Sequence, residues 1–492
     1  MNKTPINPYS APDFPLPKGQ KSTGVYLRAL CFDGLCKRIK SIPIKYLTRL
    51  DSELCGFAYK GWGNFLLILH DLVEHLRKNG VNIGPGSGVA PGSLVMFALG
   101  ITELDPLVHG LLFERCLPLN RKTPPDFDLQ LSPGGREIAL IYLGKKYGAA
   151  CVLTVEIRDK VSLRRVLAQA GYALEQDGDI VRKNNFIKLS SGECREKNVN
   201  ALFTLAVRLQ ISHAERDIGA ASVAFVRDTA QTALPLEATR EGAYPALISL
   251  PRADIIRHGI AHLNILEWGL LGRLALAEKI IRKRNSAFSL ASIPLDDPKT
   301  FNMLSAGRTA GLEEFKLPDR RQDKAPLMRE YVKEIKPVNI QQLAAITALY
   351  RPGPICAGLM DLLIKARQGR AYKPAFLSPI TRACLSETCG VLVYQEQLMQ
   401  IAKALAGFSA EDAETLRRDM SRKKLDALKE WRIKFIADCE VNGLKAAAAG
   451  RVFDNLNKYS GYLANKAHVL SHALVKYRMA YIKANYGNLG AF

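Results

Sequence analysis

Cysteine pairs at metal-ligand spacing are missing from this chain. Its ten cysteines contain no CxxC, the nearest pairs being Cys31 with Cys36 and Cys384 with Cys389, each separated by four residues. Neither a zinc ribbon nor a disulfide framework is written here, and free, mostly buried thiols in a reducing cytoplasm are expected. No apolar run approaches the length of a bilayer span; the longest, such as Phe65-Leu66-Leu67-Ile68-Leu69, are core-helix segments. Met1 to Ser22 is rich in Pro, Ser and Lys and has no apolar centre, so a loose arm over residues 1–23 is expected rather than a signal peptide or anchor. Internal repeats and low-complexity tracts are absent too. Acids are the remaining shortage, with 47 Asp and Glu against 69 Lys and Arg, a net charge of +22. Such an excess calls for a polyanionic partner, either nucleic acid or an acidic membrane surface, although a merely soluble basic protein meets the same number.

What is present is enough apolar residue for a sizeable core: 492 residues at 48% hydrophobic content suffice for roughly two to four subdomains. The charge is unevenly spread. Residues 251–492 carry 38 Lys and Arg against 23 Asp and Glu, which suits an acid-bearing region followed by a basic binding region. The basic clusters are Arg282-Lys283-Arg284, Arg320-Arg321, and Arg417-Arg418 with Arg422-Lys423-Lys424. Each could be a solvated face, but with Tyr350-Arg351, Tyr462, Tyr477-Arg478 and Tyr481 they supply the cations and stacking surfaces that track a nucleic-acid backbone.

Two motifs carry chemistry. Asp126-Phe127-Asp128 in a strand would set two carboxylates on one face, about 7 Å apart, the outline of a divalent-metal site for nucleotidyl or phosphoryl transfer. A solvated turn or a helix cap is the alternative. Upstream, Val81 to Ser93 reads as a short strand, a glycine-rich turn through Gly84, Gly86, Gly88 and Gly92, and a helix start at Ser93. Turns of this kind expose N–H groups that cradle phosphate, yet this one matches neither the Walker A nor the dinucleotide fingerprint. Apolar spacing predicts two or three amphipathic helices from Gly24 to about His75 and a helix from Arg136 to Tyr147. It also predicts strands at 221–226 and 260–266, and mostly helix from Gly269 onward, interrupted at Pro318–Lys324 and at Pro352-Gly353-Pro354.

An ordered series of segments resembles a known family. Gly84-Pro85-Gly86, Gly92-Ser93-Leu94-Val95, Leu104-Asp105-Pro106-Leu107, Leu111-Leu112-Phe113-Glu114-Arg115 and Pro125-Asp126-Phe127-Asp128 are similar, in order, to the palm of the bacterial DNA polymerase III alpha subunit. Ile293-Pro294-Leu295-Asp296-Asp297, Ala348 to Pro354, Tyr394 to Ala402, Leu416-Arg417-Arg418-Asp419-Met420 and Gly461-Tyr462 with Asn465-Lys466-Ala467-His468 resemble its fingers.

The resemblance implies an α/β (α+β) fold: a polymerase-beta-like nucleotidyltransferase palm at 24–157 and 216–270, a helical thumb inserted at 158–215, and large helical fingers at 271–492. It implies template-directed extension of a DNA primer by deoxynucleoside triphosphates with two Mg²⁺ ions, in replication or repair, in the cytoplasm and near the nucleoid. Asp126 and Asp128 match its first two catalytic aspartates and metal ligands. Gly88, Gly92 and Ser93 lie on its triphosphate-facing loop, and Lys466 and His468 match a segment facing the incoming nucleotide, with a helix-surface pair as the alternative. Arg351, Arg417, Arg418, Arg422, Lys423 and Lys424 are the DNA-binding candidates.

The chain departs from the family where chemistry is concentrated. Aligned back from Arg282-Lys283-Arg284, the third catalytic aspartate falls on Asn264, in His262-Leu263-Asn264-Ile265-Leu266-Glu267. An amide coordinates a metal without a carboxylate's charge and cannot take a hydroxyl's proton. Ser87, Val89 and Pro91 replace usual residues of the phosphate loop, Gly219-Ala220-Ala221-Ser222 stands for a His-Ala-Gly-Gly segment, and Gln130 replaces an acid. Weak or lost synthesis is therefore expected. The alternative is a polymerase-derived protein that binds DNA or assembles a complex without catalysis, or a gene remnant with neither role. No phosphoesterase domain or clamp-binding region is expected.

Overall fold

A computed structural model describes residues 11–118, 127–148, 261–315, 327–370 and 379–487, with strands between 152 and 251. Beyond the first twelve residues the chain divides into two compact units, Asp13–Ala139 with Ile265–Phe492, and Leu140–Asn264. The described structure is mostly helical with a small mixed sheet.

The first unit opens on three helices, Thr23–Arg38, Ile44–Tyr59 and Gly63–Lys78. Ser22 caps the first, its hydroxyl accepting from Val25 N, which satisfies one of the free N–H groups of a helix start. Apolar residues at helical spacing, Leu27, Cys31 and Leu35 in the first, are the buried ones. Trp62 and Phe65 then close around Phe127, at 5.5 and 5.6 Å between ring centres. That packing fixes the face of strand β1 (Phe127–Leu131), in which Phe127, Leu129 and Leu131 are buried and Asp128 is half-exposed. The strand expected at Val81-Asn82-Ile83 is only an isolated bridge, Ile83 opposite Leu131. Pro85 follows at once, and with no N–H it cannot extend a ladder.

From Gly269 the first unit is helical. Its axis is the helix Lys466–Tyr486, of 21 residues, which packs against Ile340–Leu349, Pro298–Ser305 and Gly269–Arg282. Phe301 stacks on Tyr477 at 5.1 Å. The Tyr477 hydroxyl donates to Pro294 O at 2.6 Å and accepts from Asp297 N at 3.0 Å, so this buried phenol is satisfied on both counts. A further core gathers Phe408, Phe435 and Phe453 beneath Ala410–Ser421, Leu425–Val441 and Ala446–Tyr459; emptying one such site, as in Phe435→Ala, costs about 3–5 kcal/mol. Pro352-Gly353-Pro354, expected as an interruption, begins a short helix, Pro352–Cys356. A proline in the first turn loses no bond, because the N–H it lacks would have had no helical acceptor. Pro318–Lys324 lies outside the described residues.

In the second unit, strands β2 (Val152–Arg158), β6 (Ser222–Phe225), β7 (Leu236–Glu237), β8 (Leu247–Pro251) and β9 (Ala261–Glu267) form one mixed sheet in the order β9-β6-β2-β8-β7. β2 runs parallel to β8 and antiparallel to β6. β6 pairs antiparallel with β9 in a register that sets Ser222 opposite Asn264. β3 (Tyr172–Leu174), β4 (Ile180–Arg182) and β5 (Lys188–Leu189) make a separate antiparallel sheet. The end of β9, Ile265–Glu267, belongs to the first unit, where β1 is its neighbour and Trp268 N donates to Leu131 O.

Candidate functional site

The glycine-rich segment is tied to β1 at its start and to a buried carboxylate at its end. Gly84 N donates to Gln130 O at 2.7 Å and Ser132 N to Asn82 O at 2.8 Å. A side chain at Gly84 would stand 2.9 Å from Gln130 Cβ, so only glycine permits this approach. Gly86 and Gly88 have φ of 117° and 58°, the left-handed region that other residues enter at a cost. At the far end Ser93 is fully buried and caps the helix Leu94–Ala98.

The Ser93 hydroxyl donates to Glu53 Oε2 at 2.7 Å, Val95 N donates to the same oxygen, and Arg49 Nε donates to Oε1 at 2.5 Å. Burial pushes the Glu53 carboxyl above its usual range, with Arg49 and Ser93 pulling the other way. Arg49 also donates to Gly92 O, and a side chain at Gly92 would meet Leu112 O at 2.8 Å. Gly92 and Ser93, expected on the triphosphate side, are therefore packed into the support of the loop.

Between these anchors the loop holds unclaimed donors. The N–H groups of Gly86, Ser87 and Val89 have no acceptor among the described residues, although Gly86 and Ser87 are buried. Buried N–H groups are nearly always paired, and successive free ones around positive-φ glycines form an anion cradle. The Ser87 hydroxyl, 3.4 Å from Asp128 Oδ2, donates toward that carboxylate. The cradle and the acid are thus joined by one side chain.

The same serine reaches His468, whose Nδ1 lies 3.4 Å from Ser87 Oγ. Gly88 N donates to this Nδ1 at 3.3 Å, so the ring's proton belongs on Nε2 when it is neutral. Burial holds the imidazole below its ordinary value, against the pull of Asp128 and with a smaller push from Arg351. Asn465 caps the helix Lys466–Tyr486 through His468 N and donates to Gly88 O at 3.0 Å. The start of that helix, with its partial positive charge, is docked on the glycine loop.

The other expected contacts divide by burial. Lys466 is buried, its ammonium 2.8 Å from Glu387 and its N–H given to Glu396. Arg351 donates to Ala348 O and Tyr462 O. Arg417 grips Glu414 with two bonds, of 2.6 and 2.9 Å, and the same carboxylate accepts two from Arg115. Lys424 pairs with Asp419 at 3.0 Å. Arg418 is half-buried, while Arg422, Lys423 and the cluster Arg282-Lys283-Arg284 are exposed. Arg320 and Arg321 lie outside the described residues.

Asp126 also lies outside the described residues. Asn264, in the second unit, is half-buried in β9. Among the described residues no group of three His, Cys, Asp or Glu side chains is close enough to hold a metal ion. The carboxylate that fits such a role is Asp128, half-exposed and beside the cradle. Residue-by-residue reading missed the linking role of Ser87 and the cap at Asn465. The signal for the cap was available, since Asn directly before a helix start is a preferred cap.

Comparisons with known proteins agree with the ordered motifs. Residues 25–225 match the model of the bacterial DNA polymerase III alpha NTPase domain, and residues 271–443 match that of the bacterial DNA polymerase III alpha subunit finger domain. The DNA polymerase III subunit alpha of Aquifex aeolicus is 30% identical over 97% of this chain and 44% of its own length. That of Borreliella burgdorferi is 31% identical over 96% of this chain and 42% of its own, and that of Bacillus subtilis 31% over 96% and 43%. The chain thus spans less than half the length of these curated relatives.

Proposed function

We propose that this DNA polymerase III alpha-like protein binds primer–template DNA and a deoxynucleoside triphosphate and performs weak template-directed nucleotidyl transfer in replication or repair. The observation that carries the reading is the set of N–H groups at Gly86, Ser87 and Val89 that have no acceptor among the described residues, joined through Ser87 to Asp128.

In this reading 24–157 and 216–270 are the palm, 158–215 the inserted thumb and 271–492 the fingers, in a cytoplasmic, nucleoid-associated protein. No helix of the described residues is long and apolar enough to cross a membrane. The loop N–H groups receive phosphate oxygens, and Gly88 with His468 sets the loop's distance from the fingers helix. The neutral imidazole offers Nε2–H as a donor. Asp128, with Asp126, would hold Mg²⁺, which when bound neutralises the triphosphate and activates the primer hydroxyl. Asn264 would be the weak third ligand. Arg351, Arg418, Arg422 and Lys423 bear on DNA, and Arg417 acts through Glu414 on Arg115 rather than by direct contact.

Primer extension with Mg²⁺ or Mn²⁺ tests the assignment. Asp128→Ala should abolish incorporation, and Asn264→Asp should raise it by about 10²-fold. Salt-sensitive DNA binding with no extension, unmoved by either change, would instead select the second reading, a DNA-binding or complex-assembly protein without synthesis. The amide at Asn264 is what favours that reading.

A further inference from the structure

His468 and His472 lie four residues apart on the helix Lys466–Tyr486, so their rings share one face, with 4.3 Å between ring centres and planes tilted by 47°. Trp268 backs the second ring at 4.8 Å. Both histidines are half-buried, and burial holds both imidazoles below their ordinary value, in the neutral form that binds metal ions. The Nε2 atom of His472 is buried with no hydrogen-bond partner among the described residues, an unusual state for a polar atom. The nucleotide contacts proposed above make no use of it.

We propose that Nε2 of His468 and Nε2 of His472 form a two-imidazole site for a divalent transition ion of the Zn²⁺ class, separate from the Mg²⁺ position at Asp128. Histidines at i and i+4 of a helix are the spacing with which helical zinc sites present two ligands, and imidazole suits zinc, nickel or copper where magnesium requires oxygen. An outer partner is in place as well. An ion on Nε2 of His468 moves the ring proton to Nδ1, which then donates to Ser87 Oγ at 3.4 Å, and that hydroxyl donates on to Asp128. The ligand is thereby oriented through its second nitrogen toward a carboxylate, with a serine between. The bond from Gly88 N to Nδ1 is what this tautomer gives up. Lys476 and Arg351 oppose a cation here and Asp128 favours one, so affinity rests on the nitrogen bonds themselves. Among the described residues no third His, Cys, Asp or Glu completes the set, which leaves the other positions to water. Proton and ion exclude each other on Nε2 of His468, so an ion held there removes the donor proposed for the nucleotide.

The probe is Ni²⁺, titrated into the full chain without nucleotide or DNA. In calorimetry, His468→Ala and His472→Phe should each weaken binding by more than the roughly tenfold that loss of an outer partner costs, and Ser87→Ala by about tenfold. Ni²⁺ is paramagnetic and should quench the fluorescence of Trp268; Trp268→Phe should remove that quenching and keep the binding. Excess Mg²⁺ should leave both readouts unchanged. Equal affinity in the unmodified chain and either histidine variant, or displacement of Ni²⁺ by Mg²⁺, would overturn the inference and leave the nucleotide reading untouched. Matching thermal unfolding of the variants checks that the fold is kept.

Discussion

Gly88 and His468 are 380 residues apart in the chain and joined by a hydrogen bond of 3.3 Å from the glycine N–H to Nδ1 of the ring. A loop from the first motif block is thereby fixed to a helix from the last. The bond orients the imidazole as well, because an Nδ1 that accepts leaves Nε2 to donate.

His468→Ala removes both the acceptor and the donor. Nucleotide binding, followed by calorimetry so that no turnover is required, should weaken about tenfold. His468→Gln, which keeps an acceptor and a donor, should recover part of the loss. Equal affinity in all three proteins would sink the assignment of this residue to the nucleotide side.

Glu53→Ala tests the support of the loop. The change leaves Arg49 without its buried carboxylate and strands the Ser93 hydroxyl and Val95 N–H. A broken buried pair costs about 3–5 kcal/mol, to be read as a lowered urea midpoint. Glu53→Gln, which still accepts, should lose less.

Arg417 separates packing from DNA contact. Its guanidinium is buried against Glu414, which also serves Arg115, and burial with the neighbouring Arg115 draws it below its ordinary value. Arg417→Ala should lower stability by about 2–4 kcal/mol and leave the salt slope of DNA binding nearly unchanged. Arg422→Ala, at an exposed position, should do the reverse.

His472 predicts a pH dependence. Its ring lies 4.3 Å from His468 and 4.8 Å from Trp268, and burial first, with His468 and Lys476 adding, lowers it to about 3. The folded state therefore resists a proton that the unfolded chain accepts near 6.5. This contribution to stability is complete above 6.5 and is lost as pH falls toward 3. Between pH 6.5 and 5 it amounts to about 2 kcal/mol. His472→Phe keeps the stacking and should flatten the fall in unfolding free energy over that span; an unaltered curve would refute the assignment.

Much of the helical part was legible because its signals are local. Ser93 stands directly before a helix start, and periodic apolar residues such as Leu27, Cys31 and Leu35 mark the buried faces. β9 was visible as an apolar run expected at 260–266 and observed at Ala261–Glu267. What could not be read were relationships set by tertiary packing. Nothing local says that Arg417, in a run of cations, turns inward to Glu414, or that Ser93 faces Glu53 across 40 residues. Ser87 read as a departure in the loop, whereas in three dimensions its hydroxyl donates to Asp128 and lies beside His468. Pro352-Gly353-Pro354 misled because proline breaks a helix in its interior and not in its first turn.

The helix Lys466–Tyr486 carries His468 near one end and Lys483 near the other. Fifteen residues at about 1.5 Å each set these side chains some 22 Å apart along its axis. That spacing is a property of one continuous backbone, fixed by its own hydrogen bonds rather than by the fit of separate pieces. The helix works as a ruler: the segments packed at its far end stand a set distance from the glycine loop docked at its near end. Inserting a full turn between the two would lengthen the gauge by about 5.4 Å while leaving both ends chemically intact.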